Sequence, residues 1–138
     1  WDRLKDDDST EHARLDVIFT DAAGVRSFVD VAIVAASSDS EALLSARAAA
    51  DGVAAAAGVN GKRSRYKAES YPSAALIPFV VESLGRLSEP ADALLQALAP
   101  RDASRGVALS RAHQALSVLV QTRLAELLLS AEAGARPP

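Results

Sequence analysis

Two aspartates near the start of the chain, Asp16 and Asp30, have the spacing of a carboxylate pair on neighbouring strands. Each lies in a segment of alternating apolar and polar residues, and pairing of Thr20 with Arg26 would set the two directly opposite each other. A slip of one pair step would keep them on the same face, because the side-chain period of a strand is two.

Like charges at cross-strand distance destabilise a purely structural sheet. A divalent cation bound by both carboxylates removes that repulsion, and oxygen ligands favour magnesium or manganese. The alternative is a solvent-exposed face on which the pair is tolerated.

A second group with chemical potential is basic and lies in the segment KRSRYK. Lys62, Arg63, Arg65 and Lys67 have the charge needed to contact phosphates. The alternative is a solvated helix end, since basic residues are favoured near a helix C-terminus. Glu82 ends an apolar run, where an acidic residue either faces a site or pairs with Arg86 four positions later.

Composition excludes several classes of site. The chain has 138 residues, no cysteine and two histidines, which rules out a disulfide framework or thiolate metal site and argues against zinc and serine-triad chemistry. We assign His12 and His113 to structure. A net charge of −3 gives no overall nucleic-acid footprint, so any such contact must be local. No apolar run is long enough to span a bilayer. Because the chain starts at Trp1 and contains no methionine, we expect it to be part of a longer protein.

The first elements predicted from the sequence are a hairpin and a helix. The turn TDAAG joins the two alternating strands, which run from about Arg14 to Val34. The segment 38–41 (SDSE) fits a capping box, in which Ser38 caps the helix and Glu41 reaches back. A helix is therefore expected from there to about Ala57, with a break or a bend at the sequence GVNG, residues 58–61.

The later elements complete a small mixed sheet. The run ALIPFVVES predicts a third, buried strand, in which Pro78 favours an edge position. Helices are expected from Ser88 to about Leu98 and from about Ser104 to Ala131. On the last helix an apolar stripe should face the core: Leu109, Ala112, Leu116, Leu119, Val120, Leu124, Leu127 and Leu128.

The predicted order is β-β-α-β-α-α, with the second and third strands parallel because a helical crossover joins them. The fold class is therefore α/β (α+β), with a small mixed β-sheet of three or more strands packed by helices. We divide the chain into a flexible acidic end (1–12), an α/β core (13–100), a C-terminal helix (101–133) and a tail (134–138).

Taken together, these motifs resemble the PD-(D/E)xK, or restriction-endonuclease-like, nuclease superfamily. More narrowly, they are similar to the endonuclease domain of non-LTR retroelement reverse-transcriptase polyproteins. The matching features are Leu15-Asp16, Asp30 after a gap of thirteen residues, the K-x-x-x-Y element Lys62 to Tyr66, and PFVVE followed by Gly85-Arg86. The similarity spans about 14–100. Two positions depart from the pattern, because Leu15 replaces the usual proline and Ala32 stands where the strand lysine is expected.

The resemblance implies a metal-dependent endonuclease that hydrolyses phosphodiester bonds and nicks target DNA for a reverse transcriptase region of the same longer chain. Asp16 and Asp30 would hold Mg²⁺ or Mn²⁺, with Glu82 as a further ligand. Lys62 would act in place of the missing strand lysine, although Lys67 with Tyr71 fits the same spacing. Arg63, Arg65 and Lys67 would contact DNA phosphates. The implied location is intracellular and nuclear, with no membrane contact.

Two other readings of the chain remain. The first is a catalytically inactive nuclease-fold module used for DNA binding or protein assembly, which the absent lysine and the acidic net charge favour. The second is a helical protein-interaction domain with an incidental hairpin. The target sequence and the oligomeric state do not follow from the sequence.

Overall fold

The structure, a computed structural model, describes residues 15–21, 23–66 and 74–134. Within these ranges it confirms the α/β class, with a three-stranded mixed sheet packed by four helices. The elements are β1 (Val17–Thr20), β2 (Arg26–Val34), α1 (Glu41–Ala49), α2 (Val53–Arg65), β3 (Ala74–Glu82), α3 (Glu89–Leu98) and α4 (Arg105–Gly134). The predicted acidic end 1–12, Lys67 and Tyr71 lie outside the described residues.

The hairpin has the predicted register. Thr20 pairs with Arg26 and Val17 pairs with Val29, antiparallel. The turn between them is held by Asp21, whose Oδ1 accepts hydrogen bonds of 2.9 Å from the amides of Ala23 and Val25. This side-chain capping of a tight turn is typical of aspartate and sets which residues of the two strands meet.

The sheet has the order β1-β2-β3, with β2 in the centre and β3 parallel to it. Pro78 therefore lies in an edge strand, as predicted, opposite Asp30 of β2. An edge position tolerates proline because its missing N–H removes no ladder hydrogen bond on the open side. The two faces also alternate as expected, with Asp30 and Ala32 on one face and Val29 and Val31 on the other.

Helices cover both faces of the sheet. On the Asp30 face, α2 packs Ala55 and Val59 against Val80 of β3. On the opposite face, α3 and α4 enclose the main core cluster, which comprises Val29, Phe79, Val81, Ala91 and Val120. The site residues on β2 therefore lie between the sheet and α2.

The crossover contains two helices, and the predicted break at 58–61 is wrong. The chain breaks instead at Gly52, whose φ of 75° is a left-handed conformation that glycine adopts without strain. Helix α2 runs through Gly58, where a Cβ would lie 2.8 Å from Cγ1 of Val80. Gly58 thus allows a close approach of helix and sheet.

Among the described residues no single helix is long and apolar enough to cross a membrane. Helices α1 and α2 reach the required length and apolar content only when taken together, and the pair is bent by 111°.

The predicted capping box is also wrong. Helix α1 begins at Glu41 with Ser40 as its N-cap, and no side chain bonds that cap. The hydroxyl of Ser38 instead accepts a hydrogen bond of 3.2 Å from the amide of Ser40, within the loop. The loop is held from the helix side, because Arg47 donates to the carbonyls of Ala35 and Ser37.

The last helix only partly follows its predicted packing. Val120 is buried, and Leu116 and Leu124 are half-buried against the core cluster. Leu127 and Leu128, expected in the same core stripe, are 65% and 69% exposed, and Leu119 is also exposed. At about 1.5 Å per residue, a helix of 30 residues reaches about 45 Å, beyond strands of about 30 Å. Its last third, which includes the exposed Leu127 and Leu128, therefore extends past the sheet.

Candidate functional site

The centre of the site is a buried ion pair between Asp30 and Lys62. The Nζ atom of Lys62 lies 2.7 Å from Oδ2 of Asp30, and the two side chains are 19% and 5% exposed. Helix α2 delivers the lysine because Val59 and Tyr66, three residues before it and four after it, are both buried against the sheet. Positions three and four apart share one helix face, so Lys62 must point towards β2.

Asp16 joins this pair from the start of the hairpin. It comes immediately before β1 rather than within it, and its amide donates a 3.2 Å hydrogen bond to the carbonyl of Val29. Its Oδ2 accepts a 2.7 Å hydrogen bond from the amide of Val31, the residue after Asp30. The structure therefore brings both predicted aspartates to one short stretch of β2, with Asp16 exposed and Asp30 buried.

Tyr66 is a further member of the site. The sequence assigns it to packing, and it does pack against Phe28, but its phenol also lies close enough to Asp30 for that carboxylate to raise its pKa. Burial raises the pKa of Tyr66 above its ordinary value of 10.0, and the negative charges of Asp30 and Asp16 raise it further, whereas Arg65 lowers it. The signal that marks this residue is its i,i+4 spacing from Lys62, which puts both side chains over Asp30.

The oxygen atoms around Lys62 are of the kind that a hard divalent cation takes. The buried Oδ2 of Asp30 has no well-aligned hydrogen-bond donor among the described residues, so the ammonium compensates its charge as an ion pair. The same Nζ lies 3.5 Å from the carbonyl oxygen of Val31. Within the described ranges no three acidic, histidine or cysteine side chains gather to hold a metal. Two carboxylates still suit Mg²⁺, which is commonly held by one or two carboxylates plus substrate phosphates.

Glu82 lies elsewhere. Parallel pairing sets Asp30 opposite Pro78 and Val34 opposite Glu82, so Glu82 is about 13 Å further along the sheet. Its Oε1 accepts a 3.0 Å hydrogen bond from the amide of Ala55 in the first turn of α2, and its Oε2 is 4.0 Å from Nε of Arg86. Glu82 therefore caps α2 from a neighbouring strand, beside the arginine, and does not join the two aspartates.

The predicted basic cluster separates onto two flanks of α2. Arg65 is exposed on the flank that carries Lys62. Arg63 is exposed on the other flank, where it lines a cavity of about 620 Å³ together with Asn60 and Arg86. The described members of the cluster are therefore not one surface, because Arg65 lies with Lys62 on the side of the aspartates and Arg63 does not.

His113, assigned to structure from the sequence, lies with its Nε2 3.0 Å from Oδ1 of Asp92. This contact joins α4 to α3 at the surface and involves none of the site residues above. His12 lies outside the described residues.

Comparison of the chain with protein-family models, curated proteins and solved structures found no match.

Proposed function

We propose that this chain is a metal-dependent DNA endonuclease domain of the PD-(D/E)xK type, which nicks target DNA for a linked reverse transcriptase. One observation carries the proposal. Lys62 reaches Asp30 at 2.7 Å from a helix, although the strand position that would hold a lysine is Ala32. An amine, two aspartates and a phenol thus meet around the peptide that joins Asp30 and Val31.

Each residue has a role in phosphodiester hydrolysis. Asp16 and Asp30 would hold Mg²⁺ or Mn²⁺, which polarises the scissile phosphate and lowers the pKa of the attacking water. Lys62 supplies a positive charge in a largely water-excluded position, where it stabilises negative charge that develops on the phosphate oxygens. Tyr66, packed against Phe28, places its phenol beside the carboxylate of Asp30. Arg65 binds a backbone phosphate.

The test is nicking of supercoiled plasmid in the presence of Mg²⁺ or Mn²⁺. We expect the wild type to produce relaxed circles, and Asp16→Asn and the double variant Asp30→Asn/Lys62→Met to produce none. The double variant removes both charges of the buried pair and so leaves no unpaired charge behind. Arg123→Met, which breaks an exposed ion pair on α4, is the control and should nick normally. Absence of nicking by the wild type, or equal nicking by the Asp16→Asn variant, overturns the proposal.

A second candidate is a catalytically inactive DNA-binding module with the same fold. The observation that favours it is that Lys62 already neutralises Asp30 without a metal ion. This candidate predicts no heat of binding when Mg²⁺ or Mn²⁺ is titrated into the protein, and DNA binding that the Asp30→Asn/Lys62→Met variant retains. Heat from metal titration that Asp16→Asn abolishes favours the endonuclease instead.

A further inference from the structure

Arg26 is an exposed cation on the same face of β2 as Asp30. It is the first residue of the strand, and alternation gives it the orientation of Phe28 and Asp30. Four residues of extended chain separate it from Asp30, a distance of about 13 Å. Its side chain forms no hydrogen bond or ion pair with any of the described residues. Within the described residues, a ligand could therefore bind this charge without the loss of a side-chain contact.

Arg65 is a second such cation, at the end of α2. At about 100° per residue it lies about 60° around the helix from Lys62, on the side away from Val59. The next residue, Tyr66, packs against Phe28, so Arg65 and Arg26 both adjoin the same contact between helix and sheet. The positive charge of Arg65 lowers the pKa of Tyr66, which shows that its field reaches the site. The side chain of Arg65 likewise makes no hydrogen bond or ion pair within the part of the chain that the structure describes.

Arg63 provides a contrast within the same helical turn. It has the same chemistry and is also exposed, but it lies on the opposite flank, over the cavity that Arg86 and Asn60 line. A ligand that passes over Asp16 and Asp30 on the Lys62 flank therefore meets Arg65 and does not meet Arg63.

We infer that one strand of DNA runs from the two aspartates past the end of α2 towards the hairpin turn, with its phosphates bound by Arg65 and Arg26. The identity of the polyanion rests on the proposed function. The distance of about 13 Å between Asp30 and Arg26 corresponds to about four nucleotide steps of about 3.4 Å each, measured along the axis of a duplex. Guanidinium groups suit this role because their planar donors match phosphate oxygens. The chain carries a net charge of −3, so attraction to DNA must come from local groups such as these.

The experiment measures binding of a fluorescein-labelled DNA duplex by polarisation, in EDTA so that no cleavage occurs, over a range of salt concentrations. The variants are Arg26→Ala, Arg65→Ala and their combination, and Arg63→Ala is the matched control. Each phosphate contact contributes about 0.9 to the slope of log affinity against log salt. We expect each single variant to lower the slope by about that amount and to weaken binding several-fold at low salt, and the double variant to lower it by about twice as much.

Three results would overturn the inference: no binding of the duplex by the wild type, unchanged slopes for Arg26→Ala and Arg65→Ala, or an equal loss for Arg63→Ala. The plasmid assay separates this outcome from failure of the proposed function. If binding falls as expected but the wild type does not nick DNA, the path of the strand stands and the endonuclease is refuted. If the wild type nicks DNA but Arg26→Ala, Arg65→Ala and Arg63→Ala all bind the duplex equally well, the endonuclease stands and the path of the strand is refuted.

Discussion

The buried ion pair between Asp30 and Lys62 allows a sharp test of how burial sets the value of a charge contact. Replacement of Lys62 by methionine keeps most of the apolar stem and removes the ammonium. Asp30, which is 4% exposed, then loses the cation that lies 2.7 Å from its Oδ2. We expect this variant to be much less stable than the wild type.

The magnitude follows from opposing terms. At an effective dielectric constant of about 20, opposite charges at this separation attract by about 6 kcal/mol. Desolvation costs several kcal/mol for each ion, so the intact pair contributes little net stability. Removal of one partner leaves the other ion desolvated and removes the attraction that offset this cost. The loss typically destabilises a protein by about 3–5 kcal/mol. Since Lys62 keeps 19% of its surface exposed, we expect the lower end, about 3 kcal/mol. For a chain of this length, that loss lowers Tm by about 10 °C.

Urea unfolding followed by circular dichroism measures the effect. Arg123→Met is the control, because Nη1 of Arg123 also lies 2.7 Å from Oε2 of Glu126, but those side chains are 66% and 55% exposed. An exposed helix pair is worth about 0.3–0.5 kcal/mol, so this variant should unfold almost like the wild type. The double variant Asp30→Asn/Lys62→Met should recover most of the stability that Lys62→Met loses. Equal, small losses in the free energy of unfolding for Lys62→Met and Arg123→Met would refute the reasoning. The distance between the charges, and not their burial, would then decide the effect.

Other residues of α2 and the sheet give further tests by the same unfolding measurement. Gly58→Ala should lower the free energy of unfolding by about 1–3 kcal/mol because its Cβ has no room. Gly61→Ala, with nothing within 4 Å, should raise it by about 0.5–1 kcal/mol. Because the pKa of Tyr66 is raised in the folded state, the unfolded chain releases that proton first; stability should hold up to about pH 10 and fall above it, and Tyr66→Phe should remove this part of the fall. Glu82→Ala should cost about 1–2 kcal/mol through loss of the α2 cap, while Asp30→Asn should leave that cap intact.

The hairpin is the part of the fold that the sequence predicts best. Two strands of period two leave few registers, and the Asp21 turn selects one of them. Local information is enough, because both the alternation and the turn are encoded within a short stretch. The same holds for α3, where Ser88 and Pro90 mark the start and the observed end is Leu98, as predicted.

The crossover could not be predicted in the same way. Glycine is both a helix breaker and the residue that permits close packing, and the difference lies in what surrounds it. Gly52 takes a positive φ as the N-cap from which α2 begins, whereas Gly58 stays helical and packs against Val80. Only the position of β3, far away in sequence, distinguishes the two. A local pattern therefore placed the break at the wrong glycine.

The identity of the site lysine had a similar limit. Lys62 and Lys67 both fit the spacing K-x-x-x-Y; Lys67 lies outside the described residues, and the orientation of Lys62 depends on the phase of α2 over the sheet. With Val59 and Tyr66 buried, Lys62 must face β2. That phase depends on the start of α2 at Val53, which the sequence did not reveal, so the alternatives could be stated but not separated.

The spacing of the two aspartates predicts their proximity but not how the charge of each is compensated. Two aspartates opposite each other were expected to need a cation to relieve their repulsion, and the structure provides relief from the protein. The ammonium of Lys62 faces Asp30, and the amide of Val31 donates to Asp16. Each carboxylate thus has its own compensation, and cross-strand repulsion is no longer an argument for a metal ion. What still favours a catalytic role is the set of side chains that surrounds the two aspartates. A lysine, a tyrosine with a raised pKa and an exposed aspartate around one buried carboxylate are more than the stability of a three-stranded sheet requires, because apolar side chains would fill that space at no electrostatic cost.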